Sequence, residues 1–336
     1  MNLSDTIALL GRLTAAHGVS GDEGEVRDLI ASLAEPYCDA LRQDVMGNLI
    51  AHKRGDGPKL MLAAHMDSVG LVATHIDKEG FVRFGALGGL SALDLLGQRF
   101  RFRSGACGVC MAQEDKEEKP SKNDLYLDIG AADEAEARAL VQAGDTAACL
   151  SPLTRVGAHR VSGSCLDNRA GCLVLLQAMA RIRHPANDLY FVFTVQEEVG
   201  TRGVRPAAFA VEPDYGLVVD VTCPDDVPGA RHEGTTQLGK GAAVKVMDRS
   251  VICHPRMVEC LRALAQEQKI PFQNDLLSCG GTDGGPMRAS RAGVVTGGVS
   301  VPCRYTHTAG ELCDLRDIDA CVRLVTALCE RRLETI

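Results

Sequence analysis

The stretch from Leu189 to Gly203 constrains the fold of this chain more than any other. Its first half, Leu189–Val195, is an almost unbroken apolar run rich in β-branched and aromatic residues. Such a run predicts a strand buried on both faces of a parallel sheet. The run is followed by Glu197 and Glu198, and in open α/β sheets ligands bind beyond the carboxyl ends of the strands. Because adjacent side chains on an extended backbone point in opposite directions, we expect these two carboxylates to face different partners.

The composition argues against several classes of protein. With 336 residues, of which 46% are hydrophobic, the chain can form one large domain or two ordinary ones. The net charge of −8 and the few aromatic residues (0 Trp, 5 Tyr and 8 Phe) argue against a nucleic-acid-binding protein, which needs a basic surface. No apolar run is as long as a membrane span requires. Met1–Asp5 lacks the basic start of a signal peptide, so we expect a cytoplasmic protein without nucleic-acid or membrane partners.

The 14 cysteines are scattered through predicted strands and helices. This distribution is typical of reduced core residues rather than of a disulfide framework. Cys107 and Cys110 have the spacing of a zinc or redox pair, but no second pair lies at a matching distance. We therefore expect most cysteines to pack in the core.

The order of the predicted elements indicates a discontinuous domain. An α/β pattern fills the first part of the chain and includes a capping-box sequence, Ser20–Glu23, that predicts the start of a helix. From about residue 71 the pattern changes to short alternating segments separated by turns, which is typical of a compact β-barrel-like domain. The α/β pattern then returns with a second buried strand, Gly216–Val219, that ends at Asp220. We predict an α/β fold with a catalytic domain of residues 1–70 and 164–336 and an inserted β-rich domain of residues 71–163.

Five candidate metal ligands occupy corresponding places in this pattern. Four follow or end apolar strands and one begins a helix: His65, Glu198, Asp220 and His307, and Asp167. Because the carboxyl ends of parallel strands meet at one edge of the sheet, we expect these side chains to converge. Two imidazoles and three carboxylates without a thiolate suit zinc, with cobalt or manganese as alternatives.

Five ligands are too many for one catalytic zinc, which uses three protein ligands and a water. Two ions that share one bridging carboxylate use five ligands as three plus three, and such a pair can hold a bridging hydroxide and polarise a carbonyl. Three carboxylates against two divalent ions leave a formal charge of about +1, so a bound water should have a strongly lowered pKa. The second member of the glutamate pair is available as a proton acceptor outside the coordination shell.

Together these residues resemble the M42 family of metallo-aminopeptidases, the tetrahedral peptidases. Each motif alone is weak, but their order and spacing are specific and extend over nearly the whole chain. The motifs are Ala64–Gly70, Leu166–Gly171, Glu197–Gly200, Val219–Thr222, Gly280–Asp283 and Arg304–His307.

The resemblance implies a role for each site residue. It assigns the metal ligands as a bridging Asp167, with His65 and Asp220 completing one site and Glu198 and His307 the other. It makes Glu197 the general base, and Asp67 a partner that orients the His65 imidazole. The implied fold is a mixed, mostly parallel sheet between helices with an inserted β-barrel-like domain.

The resemblance also implies substrates and assembly. We expect two divalent ions per chain, short peptides as substrates, and a homo-oligomer, a dodecamer built from dimers that the inserted domain forms. The insertion lies between the first histidine and the bridging aspartate, which separates the chain from the related M20 carboxypeptidases and deacylases. Three segments depart from the family pattern, namely Asn168, Thr308–Glu311 and Met111–Asn123.

The same residues favour some alternatives to an aminopeptidase and disfavour others. An amidohydrolase that removes acyl groups, or a carboxypeptidase, fits the same ligand set, whereas a metal-stabilised assembly protein would not need the spare Glu197. A serine hydrolase is disfavoured because no Gly-x-Ser-x-Gly motif occurs, and the glycine-rich stretches lack the ending of a phosphate-binding loop. The preferred N-terminal residue depends on loops at about 223–240 and 280–310 and is left open by the sequence.

Overall fold

The computed structural model describes residues 3–231 and 234–334. Within these residues the chain forms 17 strands: β1 (Ala40–Gln43), β2 (Leu49–Lys53), β3 (Lys59–His65), β4 (Gly70–Ile76), β5 (Val82–Leu87), β6 (Arg99–Phe102), β7 (Cys107–Ala112), β8 (Leu125–Asp128), β9 (Thr146–Cys149), β10 (Thr154–Val156), β11 (Arg160–Gly163), β12 (Asp188–Thr194), β13 (Tyr215–Thr222), β14 (Ala242–Met247), β15 (Phe272–Leu276), β16 (Val295–Arg304) and β17 (Glu311–Asp314). The same residues form nine α-helices: α1 (Leu3–Ala15), α2 (Gly24–Ala34), α3 (Ala92–Leu95), α4 (Glu134–Leu140), α5 (Leu166–Arg181), α6 (Val204–Val211), α7 (Pro255–Glu267), α8 (Gly284–Arg288) and α9 (Leu315–Glu330).

The large sheet has 11 strands, nine of them in the order β1-β2-β12-β3-β13-β16-β17-β11-β10, and β14 and β15 branch from β16. At its centre β12, β3, β13 and β16 are parallel neighbours. The outer pairs, such as β2 with β12 and β14 with β16, are antiparallel, except that β14 and β15 are parallel. The four central strands therefore direct their carboxyl ends to one edge, where the site lies.

Alternation along β12 explains the apolar run that predicted it. Phe191 and Phe193 pack into the larger core, which includes side chains of α1, α2, α5 and α9. Val192 packs into a second core, which includes side chains of α6 and α8. Because both faces of the sheet are covered by helices, successive residues must all be apolar. The predicted mixed, mostly parallel sheet between helices is confirmed.

A closed barrel of strands in the order β4-β5-β8-β7-β6-β9 lies between β3 and β10 in the sequence. Its interior is filled by alternate residues of the strands, among them Phe100 and Phe102 of β6 and Leu125 and Leu127 of β8. The predicted β-barrel-like insertion is thus present. Strands β10 and β11 fall within residues 71–163 but join the large sheet through β17. The division into domains itself stays a prediction.

Two local sequence motifs do not form the contacts that are typical of them. Ser20 and Glu23 form no capping box, because α2 begins at Gly24 without a side-chain cap. Ser20 instead donates a 2.6 Å hydrogen bond to Asp67, and that long-range contact replaces the local one. On β7 exposed and buried residues alternate; Cys107 is exposed and Cys110 is buried, so the two thiols lie on opposite faces of the strand.

No helix in the described part of the chain combines the length and the apolar character of a membrane span. The predicted cytoplasmic location stays a prediction.

Candidate metal centre and active site

The site is built where the central strands end. His65 is the last residue of β3 and lies beside Thr194, the last residue of the parallel β12. Glu197 and Glu198 follow β12, and His307 follows β16. Asp220 lies inside β13, because this strand continues to Thr222 beyond the predicted end.

The structure brings the five predicted ligands into two triads that share Asp167. His65 Nε2 lies 3.2 Å from Asp167 Oδ1 and 3.5 Å from Asp220 Oδ1. His307 Nε2 lies 3.3 Å from Asp167 Oδ2 and 3.1 Å from Glu198 Oε2. In each triad the potential ligand atoms lie within 4.8 Å of one another. The two oxygens of Asp167 thus face different triads.

The two histidines are oriented in the same way. His65 Nδ1 lies 3.1 Å from the carbonyl oxygen of Asp67, and His307 Nδ1 lies 3.1 Å from that of Gly89. A carbonyl oxygen only accepts, so Nδ1 of each ring carries a proton, and Nε2 is the atom that each ring directs into its triad. Gly89 lies between β5 and α3, so the barrel region contributes one of these two carbonyls.

The carboxylate of Asp67 organises the loop that holds the glutamate pair. It is fully buried and accepts hydrogen bonds from Glu197 N at 2.9 Å and from Glu198 N at 3.2 Å. Its Oδ1 lies 3.6 Å from His65 Nδ1, farther than its own carbonyl oxygen. Asp67 therefore contacts the imidazole through the backbone and the glutamates through the side chain.

The start of α5, which carries Asp167, is anchored by Arg169. This arginine is fully buried and donates to the carbonyl oxygens of Leu13, in the last turn of α1, at 2.7 Å and of Gly18, after the end of α1, at 3.1 Å. A Cβ at Gly18 would lie 2.5 Å from the guanidinium, so glycine is required for this approach. The peptide bond between Asp167 and Asn168 is cis.

The electrostatics of the cluster show how strongly the triads attract positive charge. Burial alone would lower the pKa of His307, but the hydrogen bonds that its ring donates to Asp167 and Glu198 raise it to about 12. Burial opposes ionisation of Asp167, yet His307 and His65 hold its pKa well below the usual range. Burial raises the pKa of Glu197 to about 10. Without a metal ion, protons on the imidazoles supply the positive charge that the carboxylates require.

The donor set fits divalent metal ions. Asp167 Oδ1 and Glu198 Oε1 are buried and have no hydrogen-bond partner among the described residues. Such orphaned buried oxygens are costly unless a cation or proton satisfies them. Both triads offer imidazole nitrogen and carboxylate oxygen, the ligands that zinc and similar ions use in catalytic sites.

The triads open into a cleft of about 360 Å³. The cleft is lined by Gly89, Gly200 and Thr201, by residues that follow Asp220 and by the loop at residues 280–282. Glu197 lines this cleft but belongs to neither triad.

The family model for M42 glutamyl aminopeptidases matches residues 47–324, which include all five residues of the triads. The chain belongs to the M42 family. It is therefore a peptide hydrolase, an aminopeptidase, as the resemblance of its motifs predicted.

Individual relatives agree with the family assignment. The chain is 41% identical over 332 residues to a putative aminopeptidase of Acetivibrio thermocellus, covering 98% of this chain and 100% of the relative. The structure of an aminopeptidase from Desulfurococcus kamchatkensis matches with a TM-score of 0.94 at 36% identity, covering 97% of this chain and 95% of that one. The TET1 peptidase of Pyrococcus horikoshii, described as able to assemble into a tetrahedron or a large octahedral shell, matches with a TM-score of 0.88 at 30% identity, covering 96% and 99% of the two chains.

Two buried carboxylates of this M42 site were not predicted as site residues. Glu311 accepts from His307 N at 2.8 Å and from Asp167 N at 3.1 Å, and burial raises its pKa to about 8. Asp283 accepts from Thr194 Oγ1 at 2.5 Å, and burial raises its pKa to about 7. The only sequence signal for Glu311 is its place four residues after His307, and the only signal for Asp283 is its place at the end of the Gly280–Asp283 motif.

Proposed function

We propose that this chain is a two-metal-ion aminopeptidase that removes N-terminal residues from short peptides. The observation that carries the proposal is the pair of triads that share Asp167 through its two oxygens. When bound, two divalent ions would lower the pKa of a water and polarise the scissile carbonyl. His65 and Asp220 would hold one ion, and Glu198 and His307 the other.

In this proposal Glu197 is the general base. It lines the cleft beside both triads, and its backbone is fixed by the hydrogen bond to Asp67. Burial favours its protonated form, whereas adjacent cations would favour the carboxylate that a base requires. Glu197 would accept a proton from water and deliver it to the leaving amine. Its neighbour Glu198 has the separate task of a ligand.

Asp67 acts in this proposal as a positioning residue. Its carbonyl oxygen orients the His65 ring, and its carboxylate holds the backbone of both glutamates. One residue therefore fixes a ligand histidine relative to the base and the second ligand.

For the metal we propose zinc, with cobalt and manganese as ions that the same ligands accommodate. The triads contain imidazole and carboxylate but no thiolate, which leaves all three ions compatible. All fourteen cysteines are free thiols, the state that a cytoplasmic location maintains. We therefore propose a cytoplasmic enzyme.

We also propose that the chain forms a homo-oligomer, a dodecamer built from dimers that the inserted barrel makes. The assembly described for the Pyrococcus horikoshii peptidase supports a closed shell. On the barrel, Val109 and Met111 of β7 are each 38% exposed, and such adjacent apolar side chains suit a protein interface. Light scattering should give a particle far larger than a dimer, and a stable, fully active monomer would contradict the proposal.

The decisive experiment reloads the metal-free protein with zinc, cobalt or manganese. We expect two ions per chain by metal analysis, no activity after chelation, and hydrolysis of aminoacyl chromogenic substrates but not of their N-acetylated forms. Full activity with a single ion per chain would reject the two-ion site. Equal rates on the N-acetylated substrates would reject an aminopeptidase and favour a deacylase.

A further inference from the structure

We propose that the part of the cleft beyond Asp220 is the pocket for the N-terminal side chain of the substrate, and that it selects uncharged apolar side chains of about the size of leucine. The residues that set this choice are Cys223 and Leu277. This inference rests on the proposed function, because it names the substrate class of the same cleft.

The chemistry of the cleft wall carries the inference. Among the described residues that line the cleft, the only ionisable side chains besides the Cys223 thiol are Glu197 and the five residues of the triads. The wall beyond Asp220 is uncharged and consists of Val221, Thr222, Cys223, Leu277, Gly280, Gly281, Thr282 and Thr306. The loop at about 223–240 also contains residues 232 and 233, which lie outside the described residues. The pocket as described offers no opposite charge to a lysine or glutamate side chain.

The hydroxyl groups of the wall are occupied by partners behind it. Thr222 Oγ1 donates to Asp275 at 2.8 Å, and Thr282 Oγ1 donates to Asp248 at 3.0 Å. Both bonds are buried, and they turn the hydroxyl groups away from a substrate. At the mouth, Thr306 Oγ1 lies 3.3 Å from Cys223 Sγ. The hydroxyl groups of Thr222, Thr282 and Thr306 thus have partners already, and the side chains of the wall are left to make apolar contacts.

A buried lysine pairs with the two carboxylates behind the wall. Lys245 is fully buried, and its Nζ lies 2.7 Å from Asp275 and 3.7 Å from Asp248. One lysine leaves a net charge of −1 on the group, but Asp275 and Asp248 are buried and do not line the cleft, so neither carboxylate contacts a side chain there. The network joins Thr222 on β13 to Thr282 on the glycine-rich loop and so fixes the width of the pocket.

Cys223 and Leu277 lie next to each other in this wall. Gly234 lies against both, since a Cβ there would be 2.7 Å from the Cys223 carbonyl oxygen and 3.5 Å from Leu277 Cδ1. The Cys223 thiol is accessible from the cleft, and its partial enclosure raises its pKa, so it is a neutral thiol. Leu277 is 7% exposed and supplies a branched apolar surface.

A second cavity next to the triads is too small to be the pocket. This enclosed chamber lies between the barrel and His307 and is lined by Leu90, Leu95 and Phe100 among others. Its volume is about 20 Å³, room for about one water molecule. The cleft, at about 360 Å³, can hold an amino-acid side chain.

A panel of aminoacyl p-nitroanilides with the zinc-loaded enzyme tests the inference. We expect kcat/KM for leucine and methionine to exceed that for glutamate and lysine by at least ~10²-fold, because one methylene alone changes this ratio about 10- to 200-fold and an unpaired buried charge costs more. A preference for glutamate or lysine would overturn the inference. A glutamate preference would point to Arg249, an exposed residue that does not line the cleft but whose backbone N–H donates to the carbonyl oxygen of Gly280 in the wall.

Two pairs of variants locate the pocket. Cys223→Lys should lower leucine activity and raise glutamate activity, whereas Cys223→Ser, which adds no charge, should keep the order of preference. Leu277→Ala should shift the preference toward larger side chains such as phenylalanine. Leu276→Ala is the matched control, because Leu276 lies at the end of β15 with 38% of its surface exposed and does not line the cleft. Identical preferences in Leu277→Ala and Leu276→Ala would overturn the placement of the pocket.

A binding experiment separates this inference from the proposed reaction. Labelling of Cys223 by iodoacetamide is followed by peptide mass spectrometry in the presence of leucine amide, glutamic acid α-amide or lysine amide. We expect loss of Cys223 labelling with leucine amide alone, while the exposed Cys107 on the barrel labels equally in all samples. Protection by leucine amide without any hydrolysis would leave the pocket intact and reject the proposed reaction. Protection by the charged amides, or hydrolysis with a charged preference, would reject the pocket.

Discussion

The carboxyl edge of the large sheet and the barrel are both built from buried strands, but they enclose different groups. The barrel core consists of apolar side chains such as Phe102 and Leu127. At the sheet edge, buried carboxylates and imidazoles face one another, and oxygens of Asp167 and Glu198 have no hydrogen-bond partner within the described chain. The barrel therefore contributes stability, whereas the sheet edge stores electrostatic cost that a cation relieves.

Because of this difference, substitutions in the two regions should separate effects on catalysis from effects on stability. A substitution at the sheet edge removes a reacting or binding group from a scaffold held elsewhere. A substitution in the barrel core removes packing and leaves the reacting groups in place. Four substitutions, in order of decreasing effect, test this contrast.

The largest effect is expected for Glu197→Gln, which keeps the shape of the side chain and removes the base. The turnover rate should fall by ~10²–10⁴, the usual loss for an acid–base group, while both ions and the thermal unfolding temperature are retained. Steady-state kinetics, metal analysis and calorimetry on one preparation check this. Glu198→Gln should instead lose or weaken one ion. Near-normal turnover of Glu197→Gln with both ions bound would remove Glu197 from the mechanism.

The reciprocal change is Phe102→Ala in the barrel core. Phe102 is 1% exposed, so its truncation should lower the free energy of unfolding by about 3–5 kcal/mol. Turnover per folded site should stay close to that of the unchanged protein. Leu140→Ala is the control, since that side chain is 44% exposed and its loss should cost no more than about 0.5 kcal/mol. A folded Phe102→Ala protein that had lost its chemistry would break the contrast between the two regions.

A smaller, pH-dependent effect is expected where the two regions meet. Thr146 of β9 donates to Asp22 at 2.7 Å, so His17 Nε2, 2.8 Å away, must donate to Thr146. Burial lowers the pKa of His17 below 6.5, although Asp22 partly offsets this. The unfolded chain then takes up the proton first as the pH falls, so this contribution is complete above pH 6.5 and is lost below it.

The variant His17→Gln cannot take up this proton. We expect its free energy of unfolding, from urea titrations between about pH 5 and pH 7, to depend less on pH than that of the unchanged protein. At pH 7 the variant should be less stable by roughly 1 kcal/mol, the usual worth of a hydrogen bond. The same pH dependence in both proteins would show that titration of His17 does not contribute to the free energy of unfolding.

The smallest effect is expected on the barrel surface. Arg138 of α4 pairs with Glu134 at 2.7 Å, and both side chains are largely exposed. Arg138→Ala should change the free energy of unfolding by no more than about 0.5 kcal/mol and leave kinetics unchanged. A larger loss of stability, measured by urea unfolding, would show that this helix is part of the barrel's stabilising core.

The sequence-based predictions are accurate where the interactions are local in the sequence and fail where they join distant residues. The strand at Leu189–Val195 was predicted well because burial on both faces requires a continuous apolar run that can be read locally. The prediction of a capping box at Ser20–Glu23 was wrong, because the Ser20 hydroxyl donates to Asp67, which is far away in the sequence. A local motif offers one set of hydrogen bonds, and tertiary contacts decide whether it is used.

The candidate site shows the same division. His65, Glu198 and His307 could be proposed from their positions after apolar strands, since strand order and the right-handed α/β pattern bring such ends to one edge. Glu311 could not be proposed, because its role depends on two backbone N–H groups, those of Asp167 and His307, that only folding brings to it. The binding of backbone donors leaves no pattern in the sequence.

By itself, the sequence determined the α/β class, the inserted barrel and the family, because these depend on apolar periodicity and on motifs in a fixed order. Which polar side chains contact one another depends on the tertiary structure. It placed the two oxygens of Asp167 toward different triads and turned the hydroxyl groups of Thr222 and Thr282 toward buried aspartates. The physical reason is that hydrophobic patterning acts along each element, whereas hydrogen bonds and charges act between atoms a few ångströms apart, whatever their separation along the chain.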